Sequence, residues 1–299
     1  MLHDNEDAER MCVNRKLIQN ANTKAKITGL NDQHVKMSLP LLNHPLDLPT
    51  VFTPEAVVEG VRTKKHVPPE PIPPVCVLEF DGDLTDWLVS IGAVKTCKSW
   101  ACFHTTMFLL EIDGFTCGIV PRTIGGAYAV LIAEQMAVSG ARVVIGLASA
   151  GRVSSRMPMP GLVVITRAIR DEGTSHHYLP PAELVTAPPE VARLLESELQ
   201  TLPLPVLLGT VWTTDAPYRE TERQLTNYAN AGVLAVEMQA ASLFAFSEAR
   251  RFPVGMVAYV TNGVGQTGTP FDKGTQMLEF DILKRVCRAG MRFVMSSHV

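Results

Sequence analysis

At 299 residues, 46% hydrophobic and 19% charged, the chain is long enough for one large α/β domain or two small ones, and too apolar for disorder. A net charge of −3 excludes the basic face of a nucleic-acid binder, and no apolar run approaches the roughly 18 residues that cross a bilayer, so neither nucleic acid nor membrane is expected as a partner. The acidic, polar stretch Met1 to Arg10 is unlike a signal peptide, which leads to the expectation of a cytoplasmic protein.

Residues Met1 to about Thr50 show weak periodicity and read as a loosely ordered extension. Thr53 then reads as the N-cap of a short helix with Pro54 at its first position. The run Pro68 to Pro74 cannot be helix or central strand, and reads as a stiff linker. The expected division is therefore an extension with linker over residues 1–74, and an α/β domain over 75–299. Val75 to Phe80 reads as a strand. Met107 to Ile112 and Thr116 to Pro121 read as a hairpin across Asp113-Gly114. Ala127 to Ser139 is a predicted helix ended by Gly140. Predicted strands follow at Arg142–Leu147 and Leu162–Thr166, then a helix at Pro189–Leu199 and a strand at Val206–Trp212. A helix at Glu220–Ala231, a brief strand at Val233–Val236 and a helix from Met238 to about Arg250 come next. The series ends with a strand at Val254–Val260 and a helix from about Gly274 to Met291. Alternating strands and helices predict one sheet covered on both faces.

The six cysteines include no Cys-x-x-Cys pair and read as small buried hydrophobes in a reducing compartment. His176 and His177 are adjacent, which is not the one-face spacing of helical metal ligands, so no metal is expected.

In covered sheets of this kind, ligands sit at the carboxyl ends of strands. The predicted strand ends carry Ala148-Ser149-Ala150-Gly151, Arg170 to Ser175, Thr213 to Glu220, Glu237-Met238-Gln239 and Thr261-Asn262-Gly263. These stretches are rich in small, charged or hydroxyl residues, and are expected to lie at one end of the sheet. For Glu237, which opens an apolar helix, two readings stand side by side. One is a helix-start carboxylate favoured by the macrodipole; the other is a hydroxyl clamp in a pocket.

The segment Gly232 to Leu243 resembles the V-E-M-E-A-A-A-L signature of the nucleoside phosphorylase superfamily, the uridine phosphorylase branch in particular. Thr213 to Thr221 is similar to that branch's T-x-D-x-x-Y-R-E-T segment, and Ile124-Gly125-Gly126 is similar to its G-I-G-G turn. The resemblance covers about Val75 to Met291. It implies a single domain with a mixed central β-sheet flanked by helices, and homo-oligomers from dimer to hexamer whose pockets a neighbouring subunit completes. It implies cleavage of the N-glycosidic bond of a nucleoside-like small molecule, with phosphate as co-substrate and no other cofactor. By the same resemblance Met238 packs on the sugar, with Glu237 and Gln239 beside its hydroxyls. Ser149 lies near the nucleophile. Gly151, Tyr218 and Arg219, with the Arg170 to Ser175 loop, lie toward the base, and Asn262 stands where purine-specific relatives have an aspartic acid that protonates the base. Ala150, Thr214 and Val236 complete the expected substrate-binding set. Glu237, Asp215 and Glu172 are the catalytic candidates.

The sequence departs from the family pattern at three places. The sugar clamp ends in Gln239 where the family has a second Glu. An amide still donates and accepts hydrogen bonds, but it lacks the charge that strengthens them. The turn after the first strand is Phe80-Asp81-Gly82-Asp83-Leu84, with two carboxylates where phosphorolytic relatives carry an arginine. The strand before the small-residue turn has Gly146 at the place of a second arginine. A dianion in a partly buried pocket needs cationic partners. Two alternatives to phosphorolysis therefore stay open. One is hydrolysis by water, with Asp81, Asp83, Glu172, Glu237 or Asp215 as base. The other is a repurposed pocket that binds or transforms a different compound.

Overall fold

The apolar run Val75–Glu79 forms β1, buried along its whole length. In the computed structural model, which describes residues 39–263 and 274–296, β1 pairs in parallel with β4 (Phe115–Pro121) on one side and β5 (Val143–Arg152) on the other. Alternate residues of a strand point to opposite faces. Cys76, Leu78 and Phe80 therefore join one core layer, and Val75 and Val77 the other. The expected extension up to residue 38, with Cys12, lies outside the described residues. The other five cysteines are free and buried.

Among the described residues the sheet has ten strands. β2 (Val94–Thr96) and β3 (Phe108–Ile112) extend it antiparallel beyond β4. The β3–β4 hairpin turns at Asp113 and Gly114, both at positive φ (50° and 83°), the geometry whose twist matches that of paired strands. On the other side β5 pairs with β10 (Val254–Gly263) and, at its far end, antiparallel with β9 (Ala235–Glu237). β10 pairs with β6 (Gly161–Asp171), β6 with β8 (Val206–Thr214), and β8 with β9. The five strands β5, β10, β6, β8 and β9 thus close into a ring, from which β1, β4, β3 and β2 extend as open sheet. The short β7 (Leu184–Thr186) hangs on β6.

Among the described residues, α1 (Pro54–Lys65), α3 (Gly126–Ser139) and α6 (Ala240–Arg250) accompany the layer of Cys76 and Leu78. The layer of Val75 and Val77 is covered by α2 (Asp83–Ser90), α4 (Pro189–Leu199) and α7 (Gln276–Ser296). An amphipathic α5 (Glu222–Asn230) with a Thr221–Gln224 capping box packs Leu225 and Tyr228 against Trp212. Thr53 caps α1 by accepting from the Ala56 amide, with Pro54 in the first turn as its sequence predicts. The proline-rich stretch after α1 packs onto the domain. The Ile72 amide donates to the Ser139 carbonyl, and Pro71 lies against the αL cap Gly140. No described helix is long and apolar enough to cross a membrane.

One expectation is corrected. β6, β8 and β9 run against β1, β5 and β10, so the five polar strand ends do not share one end of the sheet. The link from β5 to β6 is too short to hold a crossover helix, and the chain direction reverses there. The strands are also longer than their apolar runs. Ala148–Gly151, Arg170–Asp171, Thr213–Thr214 and Thr261–Gly263 continue β5, β6, β8 and β10 as paired strand.

Candidate active site

A cavity of about 420 Å³ opens where the end of β9 meets the continuation of β5. Gly151 of β5 faces Val236 of β9 in antiparallel register, which brings Ala148 to Gly151 opposite Val236 to Gln239. Phe80 and Asp81, just past β1, close one side. Ile124 from the turn before α3, and Pro217, Tyr218 and Glu220 after β8, close the rest.

Glu237 is buried at 4% exposure, and its carboxylate is fully engaged. Oε1 accepts from the Thr213 hydroxyl at 2.5 Å, and Oε2 from the amides of Gln239 (2.6 Å) and Ala240 (2.8 Å). Thr213 Oγ1 in turn accepts from the Ala241 amide at 3.0 Å. Glu237 and Thr213 together take up three successive amides at the start of α6, groups a helix cannot pair internally. Burial pushes the Glu237 carboxyl up to about 7, against the pull of the Thr213 hydroxyl and the Gln239 and Ala240 amides and with a further push from the Glu172 charge. Of the two sequence readings of Glu237, the helix-start carboxylate is realised in these bonds, and its side chain also borders the cavity.

Gln239 is likewise 4% exposed and borders the cavity. Its Oε1 accepts from the Met238 amide at 3.2 Å. Ser149 donates to Asp81 Oδ1 at 3.0 Å, tying β5 to the turn after β1. Asp81, Glu220 and Glu237 give the lining three carboxylic acids, and no Lys, Arg or His among the described residues joins them. Burial raises the Glu220 carboxyl above its ordinary value. At Gly146 an added Cβ would stand 2.1 Å from Met256 Sδ and 2.9 Å from the Phe80 ring. The space a longer side chain would need at this position is filled by apolar atoms.

Of the residues singled out from sequence, Asp81, Ser149, Ala150, Gly151, Tyr218, Val236, Glu237, Met238 and Gln239 come together around the cavity. Asn262 flanks it in β10, in register with Gly151. The other candidates face elsewhere. Arg170 is buried, with its guanidinium donating to Ser175 Oγ and the carbonyls of Leu179 and Pro180. Glu172 accepts from the Ser175 amide and, at 2.5 Å, from Ser242 Oγ. Asp215 is exposed and accepts from the Gly173 amide, Thr214 Oγ1 accepts from the Ala216 amide, and Arg219 is exposed. Pro217 and Glu220 belong to the predicted strand-end stretch Thr213 to Glu220, whereas Phe80 and Ile124 carry no pocket role in the sequence reading. Ile124 carries the one visible signal, an isoleucine before a Gly-Gly turn that is left 52% exposed.

The Gly-Gly turn has a packing reason. A Cβ on Gly126 would stand 1.9 Å from Ser242 Oγ and 3.5 Å from Glu172 Oε2, so only glycine lets α3 start against α6 and the end of β6.

The model of the phosphorylase superfamily matches residues 90–286. The chain belongs to the phosphorylase superfamily. Among curated members of that superfamily, it is 24% identical over 192 residues to a guanosine phosphorylase of Halorubrum lacusprofundi, covering 61% of this chain and 77% of that protein. It is 26% identical over 180 residues to a purine nucleoside phosphorylase of Plasmodium vivax, covering 59% and 70%. It is 22% identical over 203 residues to an Escherichia coli uridine phosphorylase, covering 63% and 80%. Superfamily membership accounts for the mixed sheet between two helical layers and agrees with the resemblance read at Gly232 to Leu243. The three relatives carry guanosine, purine nucleoside and uridine in their names, so they point to phosphorolysis of nucleosides as a class and to no one base.

Proposed function

We propose that this protein cleaves the N-glycosidic bond of a nucleoside or nucleoside-like compound in the cavity between β5 and β9, with phosphate as the attacking co-substrate. One observation carries the reading: Ser149, Gly151, Met238 and Gln239, from distant parts of the sequence, line a single cavity of about 420 Å³, a volume suited to a nucleoside. In this reading the sugar lies against Met238 and Gln239, and the base extends toward Gly151, Tyr218 and Asn262. Glu237 borders the sugar and fixes the start of α6, while Glu172 and Asp215 act at a remove, through the chain segments they hold. The bond breaks through an oxocarbenium-like sugar, so the enzyme's task is to hold that sugar and present the nucleophile beneath it. The reading includes a cytoplasmic homo-oligomer, dimer to hexamer, which analytical ultracentrifugation tests.

A second reading is favoured by the lining itself. Asp81 stands beside Ser149, and the described lining has no cation to hold a dianion. Water attacks without such a partner, and Asp81 can accept its proton. One assay decides: purine and pyrimidine nucleosides are incubated with and without phosphate, and free base is measured. Base release that requires phosphate supports the first reading. Release without phosphate supports the second, and no release from any nucleoside refutes both.

A further inference from the structure

Ahead of α1 the chain lies on the domain with little of itself buried. From Leu39 to Phe52 every residue is exposed or half-buried, and Leu39, Leu42, Leu46 and Leu48 are exposed. His44 and Leu41 join this segment to the turn after β6. The His44 ring stacks on His177, with 3.9 Å between centroids and a tilt of 34°. Leu41 lies beside Gly173. His177 ends the one-turn 3-10 helix Thr174–His177, which is held from below. Arg170 donates to Ser175 Oγ there, and Glu172 accepts from the Ser175 amide and from Ser242 Oγ. The Gly173 amide donates to Asp215, just before Pro217, Tyr218 and Glu220 of the cavity wall. The segment thus rests on the link between the turn after β6 and that wall.

The stack makes no provision for charge. His44 Nε2 is buried and meets no hydrogen-bond partner among the described residues. Nor does any carboxylate among them form an ion pair with either ring. The groups that face His177 are His44, His176 and Glu172. His176 in turn has its Nδ1 3.4 Å from an Arg170 nitrogen. Partial cover lowers the His177 imidazole from its ordinary value, with His44 pushing the same way, Glu172 opposing and His176 adding to the fall. A ring lowered in the attached state binds its proton more readily once released. Attachment is therefore complete above the ordinary histidine range and weakens as pH falls through it. We infer that the His44–His177 stack is a pH-sensitive latch: acidification frees Pro40 to Leu48 from the turn after β6 and loosens the Asp215 to Glu220 wall of the cavity. The latch does not rest on the cleavage reading, and its test requires no turnover.

The experiment is hydrogen exchange read by mass spectrometry on the full chain at pH 8 and pH 5.5, corrected for the intrinsic pH dependence of exchange. It compares the wild type with His44→Ala and with the double variant His44→Phe, His177→Phe. In the wild type, protection over residues 40–48 should fall by about three- to tenfold on acidification. Tenfold is about what one unit below an ordinary value of 6.5 allows a single imidazole. Protection over residues 213–221 should fall with it, by at least about twofold, while β1 keeps its own. The double variant retains two stacked rings that cannot titrate, so neither segment should respond to pH. His44→Ala removes the stack without adding bulk, and serves if the double variant fails to fold. Its residues 40–48 should be open at both pH values. Wild-type protection of either segment that ignores pH overturns the inference. So does a double variant that opens on acidification, a His44→Ala variant as protected as the wild type at pH 8, or an equal loss in β1.

Discussion

The carboxyl of Glu237 sits in a protein interior yet receives three hydrogen bonds, and burial still wins, placing its pKa at about 7 against an ordinary 4.5. Stability must therefore depend on pH in a definite direction. Below about pH 4.5 the group is protonated in both folded and unfolded chains and opposes nothing. Between 4.5 and 7 the unfolded chain ionises first, so the folded state loses ground as pH rises. Above 7 both states are ionised and the difference is constant. A gap of this size corresponds to about 3 kcal/mol lost across that window. Glu237→Gln keeps the size and one acceptor, and does not titrate. Chemical denaturation of both proteins from pH 4.5 to 8 should give curves that converge at high pH or cross. The wild type should decline by about 3 kcal/mol more than the variant. Glu79, also raised by burial, is present in both proteins and cancels in the difference. Parallel curves would refute the reasoning, because they would mean that Glu237 is as easily ionised folded as unfolded.

Three further outcomes are expected. Gly126→Ala should cost about 2–4 kcal/mol in urea denaturation, since its Cβ meets Ser242 Oγ, and the double variant with Ser242→Gly should recover part of that loss. Asp81→Asn keeps an acceptor for Ser149 but removes a charge from the lining. It should lower the KM for phosphate by at least about tenfold under phosphorolysis, whereas a fall in kcat without phosphate dependence would indicate water as nucleophile. Arg170→Met leaves Ser175 Oγ and the carbonyls of Leu179 and Pro180 without their donor, and should cost about 3 kcal/mol in thermal or chemical unfolding.

The sequence made the element types legible wherever a run was apolar and bounded by a turn residue. Asp113-Gly114, Gly140 and Gly232 all take positive φ where the punctuation predicts it. Strand ends were not legible. Arg170-Asp171 and Thr213-Thr214 are polar, so the apolar pattern stops short of them, yet they pair with each other across β6 and β8. α2 escaped because Asp83 to Ser90 spans only two turns, with Leu84, Trp87 and Leu88 as its apolar face, and its start is held by Gly82 and Glu79, outside the helix. The cavity was legible through Ser149, Gly151, Met238 and Gln239. Its far wall was legible only in part, because Phe80 looks like an ordinary core residue and Ile124 is marked only by the Gly-Gly turn after it until the direction of β9 is known. That direction depends on the reversal after β5, which no local signal announces.

The closed ring has a consequence for synthesis. During translation β5 emerges well before β9 and β10, the two strands that pair with it on the side away from β1. Until they arrive, the run Val143 to Gly151 presents an unpaired, mostly apolar edge, the kind of segment that recruits foreign strands. A nascent chain stalled between Ser154 and Val254 is thus the aggregation-prone form of this protein. Premature termination in that interval should yield insoluble product and chaperone engagement rather than a smaller folded domain.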